Sequence, residues 1–118
     1  MIITIPPIYE ENIVEFIQRN GNGVFKYLDG ERLFQIIFKN VYAFDFIEFD
    51  YIGETSWQFG LELQEKSLYV QQIVREMPKE IAQKAFGGEY EKVKHYKLVI
   101  DDVGIYNIVC KDIKMGYL

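Results

Sequence analysis

At 118 residues and 49% hydrophobic, the chain fits one globular domain over 1–118, long enough to bury roughly two thirds of the surface its unfolded form exposes. A net charge of −5 and a sequence pI near 4.9 argue against a nucleic-acid partner, which needs clustered Lys and Arg. The lone Cys110 cannot bridge internally, the opening MIITIPPIYEEN lacks a signal pattern, and no stretch reaches the roughly 18 apolar residues of a spanning helix. A soluble cytoplasmic protein without a membrane partner is expected.

Ile2 to Ile5 reads as a short strand stopped by Pro6 and Pro7, which have no amide proton to donate. Tyr9 to Asn20 is predicted helical, with Tyr9, Ile13, Phe16 and Ile17 at helical spacing, Glu10 and Glu11 at the start and Gly21 at the end. The β-branched Ile13, Val14 and Ile17 keep a strand open there. Val24–Leu28 and Glu31–Phe38 flank Asp29-Gly30 and predict a hairpin with a two-residue loop, pairing Leu28 with Glu31, Tyr27 with Arg32 and Phe25 with Phe34. Lys39-Asn40 reads as a second tight turn into a strand from Val41 to Ile52. A bulge near Ile47 would turn Phe44, Phe46, Phe49 and Tyr51 inward and Asp45, Glu48 and Asp50 outward.

Gly53 to Ser56 is a turn and Trp57 to Leu63 a further strand. Ser67 is a predicted N-cap for a helix bearing Val70, Ile73, Val74 and Met77 on one face, ended by Pro78. A second short helix spans Pro78 to Phe86, before Gly87-Gly88. Strands at His95–Asp101 and Ile105–Ile113 follow. A three-residue loop, Asp102 to Gly104, pairs Tyr96 with Cys110, Leu98 with Ile108 and Ile100 with Tyr106. The pattern is α+β, a mainly antiparallel sheet with helices packed on one side.

Charge is unevenly placed. Residues 1–59 hold nine acids and four bases, residues 60–118 nine of each, and from Asn40 to Glu65 there are six carboxylates, seven aromatic rings and no Lys or Arg. Asp45, Glu48, Asp50 and Glu54, with Trp57 at their edge, are therefore the candidate surface for a basic protein partner. Their spacing does not match a calcium loop: counting from Asp50, Thr55 stands where glycine is needed, and no metal is expected. Lys92, Lys94 and Lys97 are diluted by Glu89 and Glu91 and read as a solvated edge.

His95, Cys110 and Asp101-Asp102 contain the ingredients of an activated thiol. The three-residue loop puts His95 and Cys110 on opposite faces, which predicts a buried, inert Cys110, a surface or edge His95 and no catalytic residue; a two-residue loop would bring the pair together. Gly21-Asn22-Gly23 and Gly87-Gly88 lack phosphate-loop spacing, and no cofactor is expected.

The succession Trp57-Gln58-Phe59-Gly60-Leu61-Glu62-Leu63, Glu65-Lys66-Ser67-Leu68-Tyr69-Val70 and the segment from His95 to Ile108 resembles small uncharacterised bacterial proteins, some of which look like immunity proteins of toxin systems. The resemblance implies a protein that binds another protein. The expected function is a small interaction domain of immunity or inhibitor type. The alternative is an enzyme or ligand binder with a pocket between the sheet and the Ser67–Phe86 helices.

Overall fold

Burial alternates over residues 23–28 and again over residues 33–38, with Phe25, Tyr27, Phe34, Ile36 and Phe38 inside and their neighbours partly or fully exposed. That is the pattern of strands with one face on a core. The structure, a computed structural model, describes residues 1–48, 59–65, 67–89 and 92–118. In chain order its elements are β1 (Ile2–Ile3), a 3₁₀ turn (Glu10–Asn12), β2 (Ile13–Arg19), β3 (Asn22–Asp29), β4 (Arg32–Lys39), β5 (Ala43–Glu48), β6 (Gly60–Leu63), α1 (Leu68–Glu76), α2 (Lys79–Phe86), β7 (Lys94–Ile100), β8 (Gly104–Cys110) and β9 (Asp112–Tyr117).

Two antiparallel sheets result. One has the order β1-β6-β7-β8-β5, the other β2-β3-β4-β9. Between them lies the main core, in which Phe25, Tyr27, Phe34, Ile36 and Phe38 of the four-stranded sheet meet Leu61, Tyr96, Leu98, Ile100, Ile108 and Cys110 of the five-stranded one. A second cluster joins Met77, Ala82 and Phe86 of the helical region to Val93 and Val109. The central strands β7 and β8 are consequently buried on both faces.

The helix expected over Tyr9 to Asn20 is a strand. Asn20 and Gly21 both have positive φ (54° and 80°) and form a two-residue turn that pairs Arg19 with Asn22. An Asn-Gly turn twists in the sense a hairpin requires, and β-branched residues fit a pleated surface better than a helix. The register of β2 shifts between Ile13 and Glu15, which places a bulge at Val14.

The hairpin at residues 29–31 forms, with a different register. Gly30 (φ 64°) and Glu31 make the loop, Asp29 pairs with Arg32 and Tyr27 with Phe34. Lys39-Asn40 is not a hairpin turn, because β4 pairs with β9 and the chain leaves for the other sheet. Its partner crossing is at Lys111, where the predicted strand Ile105–Ile113 breaks into β8 and β9. The Lys111 amide donates to the Lys39 carbonyl at 2.9 Å and ties the two crossings together.

The helices follow local chemistry. Ser67 caps α1, accepting from the Val70 amide at 3.2 Å, and Pro78 separates α1 from α2. Gly87, at φ 62°, closes α2 in the left-handed conformation.

β5 docks on β8 where Gly104 stands opposite Glu48. A Cβ on Gly104 would overlap the Ile47 carbonyl and the Phe46 ring, and its φ of 147° is unfavourable for any side chain. Gly104→Ala is expected to lower stability by about 1–3 kcal/mol in urea unfolding. Amide exchange in β5 should accelerate more than in β3, which distinguishes loss of this docking from general unfolding.

Candidate functional site

Of the expected partner-binding residues, Asp45 and Glu48 lie on β5; Asp50, Glu54 and Trp57 lie outside the described residues. The bulge expected near Ile47 is absent through Glu48, since β5 and β8 stay in register from Ala43 opposite Val109 to Glu48 opposite Gly104. Regular alternation stacks Phe44 and Phe46 on Tyr106, with ring centroids at 5.6 and 4.5 Å. It also sends Asp45 and Glu48 to opposite faces, where both are exposed. Asp45 shares its face with Ala43, which packs on the helical cluster. Burial, and then the negative charge of Asp45, raise the Tyr69 hydroxyl above its ordinary range.

β5 is the last strand of its sheet among the described residues. Phe44 is 52% exposed, and Phe46 and Ile47 are exposed as well. Beside it the two sheets part to leave a cleft of about 290 Å³, lined by Phe16, Phe38, Val41, Phe44, Tyr106 and Ile108, with Gly23 in its wall. Phe16 of β2 spans the opening, 5.8 Å from Phe44 and 5.0 Å from Tyr106 between centroids. The space between the helices and the five-stranded sheet, where a pocket was expected, holds Met77, Ala82, Phe86, Val93 and Val109.

His95 is not a surface residue. It is 5% exposed, with Nδ1 2.7 Å from Ser67 Oγ and Nε2 2.9 Å from Asn107 Oδ1. An amide oxygen only accepts, so Nε2 carries the proton and donates to Asn107. Burial, opposed by the Asn107 bond and assisted by Lys97, holds the His95 pKa below its ordinary 6.5 and keeps the ring neutral. Nδ1 is then bare and accepts the Ser67 hydroxyl proton, while Ser67 Oγ accepts from Val70 N–H. Every member of the chain is satisfied.

Ser67, His95 and Asn107 stand in the order of nucleophile, base and orienting group. Here they fasten the start of α1 to β7 and β8, with the Tyr69 ring 5.1 Å from the imidazole. Sequence reading missed Asn107 because the expected hairpin register was two residues out of step. Asp101 to Val103 form the loop, Ile100 pairs with Gly104, and Asn107 comes diagonal to His95. Parity is unchanged by that shift, and Cys110 remains on the face opposite His95, packed in the main core. Burial, then the charge of Asp112, push the Cys110 thiol up to about 12.

Among the described residues no three of His, Cys, Asp and Glu converge as metal ligands, and no helix is long and apolar enough to cross a membrane. No family model, curated protein or solved structure matches the chain.

Because His95 is held neutral, the unfolded chain takes up a proton near pH 6.5 while the folded one resists it. Stability from this source is complete above pH 6.5 and is lost as pH falls through the lowered folded value. Urea midpoints measured from pH 8 to pH 5 should fall on the acid side, and His95→Gln should flatten that slope. Cys110 in the native protein should react with a thiol reagent far more slowly than in denaturant; equal rates would exclude the buried thiolate-poor state.

Proposed function

We propose that this chain is a small interaction domain, of immunity or inhibitor type, that engages a basic protein partner through β5. The observation that carries the reading is the combination on one terminal strand of exposed rings, Phe44 and Phe46, with exposed carboxylates, Asp45 and Glu48. No Lys or Arg lies between Asn40 and Glu65 to neutralise them. Rings supply contact area at low conformational cost, and carboxylates steer a cationic surface and select against acidic ones. Asp50, Glu54 and Trp57 extend the same strip in sequence and belong to the proposal.

The helices enter this reading as a layer on the far side of the five-stranded sheet, leaving β5 for recognition. Residence in the cytoplasm, and kinship with bacterial immunity proteins, are parts of the same proposal. The enzyme alternative draws its best residue set from Ser67, His95 and Asn107, but Ser67 Oγ already serves the helix cap and the imidazole.

Host-lysate proteins retained on the immobilised chain should be eluted by salt and largely absent from a column bearing Asp45→Lys with Glu48→Lys. For a purified partner, the double reversal should slow association by about tenfold or more at low ionic strength and flatten its salt dependence. Because both carboxylates are exposed, unfolding curves should barely change. Unaltered affinity and salt dependence would refute the reading.

A further inference from the structure

Among the described residues, the four terminal strands of the two sheets are not equivalent. β1 has only two residues, β2 is bulged at Val14 and carries Arg19, and β9 carries Lys114 and Gly116. Short length, bulges and lysines are the usual devices that stop an edge from pairing with another chain. β5, Ala-Phe-Asp-Phe-Ile-Glu, has six residues in unbroken register, no bulge and no Lys, and its charges oppose an acidic strand rather than a basic one. Its only charges are negative.

We infer that β5 is completed by a strand from the partner: an extended segment alternating apolar residues with Lys or Arg adds to β5 and seats an apolar side chain in the cleft between the sheets. The inference rests on the basic-partner reading above and specifies its mode. From Ala43 to Phe46, alternation in β5 dictates the alternation in the segment. On one face Phe44 lines the cleft and Phe46 packs on Tyr106 beside it, so the neighbouring side chains of the added strand would be apolar there, with a cation opposite Glu48 at the end of that face. On the other face Asp45 would meet a cation. At about 290 Å³, and lined largely by rings and aliphatic side chains, the cleft has room for an apolar side chain. A second copy of this chain is a poor occupant, because antiparallel pairing of two β5 strands would bring acidic residues together with no base between Asn40 and Glu65 to offset them.

The probe is a blocked synthetic heptapeptide alternating lysine with valine and phenylalanine, titrated into the whole chain and followed by anisotropy and amide NMR. Saturable binding is expected, with shifts confined to β5 and the residues around Phe16 and Tyr106. Methylating the peptide's alternate backbone nitrogens leaves its charge and side chains in place but removes the donors, and should weaken binding about tenfold or more if two or three hydrogen bonds are lost. Gly23→Val should weaken it too by filling the cleft, since a Cβ there meets Val41, Phe16 and Phe38 at ordinary distances of 3.5 to 3.7 Å.

Equal binding of the methylated and unmethylated peptides, with loss in the Asp45→Lys, Glu48→Lys variant, would overturn strand addition and leave the basic-partner reading standing. Binding indifferent to that double reversal would overturn both. Failure of the lysine peptide to bind, or a stable dimer of this chain whose contacts map to β5, would also overturn strand addition.

Discussion

Each sheet carries an apolar face that only the other sheet can cover, and the remaining structure depends on that mutual burial. Rings dominate the contact: Phe25, Tyr27, Phe34 and Phe38 from one side meet Tyr96 and its aliphatic neighbours from the other. A buried ring removes on the order of 150–250 Å² from water, so the interface supplies the core of a small chain without a disulfide. The chain passes between the sheets three times, over residues 4–12, near Asn40 and at Lys111. The last two crossings are hydrogen-bonded to one another, while between β2 and β5 there is a cleft.

That asymmetry leaves aromatic rings at the surface. A closed sandwich would bury Phe44 and Phe46, whereas here they rest on Tyr106 with much of their surface exposed. Gly104 permits the arrangement by offering backbone without a side chain beneath the Phe46 ring. In the proposed reading, the acids on β5 disfavour pairing of this surface with itself and favour a cationic partner. The aromatic cluster that closes the core also lines the opening.

Buried polar groups are used differently. Ser67, His95 and Asn107 form a chain in which each donor has one acceptor, so the cost of burying an imidazole is offset by bonds that fix a helix start to two strands. A catalytic reading would need Ser67 to give up its cap. Tyr27 is used in the same structural way, its hydroxyl donating to the Pro6 carbonyl at 2.7 Å and holding the N-terminal segment against the core.

Much of the local structure is legible in the sequence. The alternation around Asp29-Gly30, the Ser67 cap, the Pro78 break, the Gly87 stop and the opposite facing of His95 and Cys110 all depend on residues a few positions apart or on strand parity. Asn20-Gly21 was an equally local hairpin signal that helical spacing in Tyr9 to Ile17 obscured. By itself, then, the sequence determined the places of two hairpins but not their registers, the two helices and the inward faces of most strands. Only the tertiary structure decided that β4 pairs with β9, that the strands divide between two sheets, that β5 ends its sheet among the described residues and that Asn107 reaches His95. These outcomes depend on contacts between residues far apart in the chain, and a strand's periodicity records which side is buried without recording what buries it.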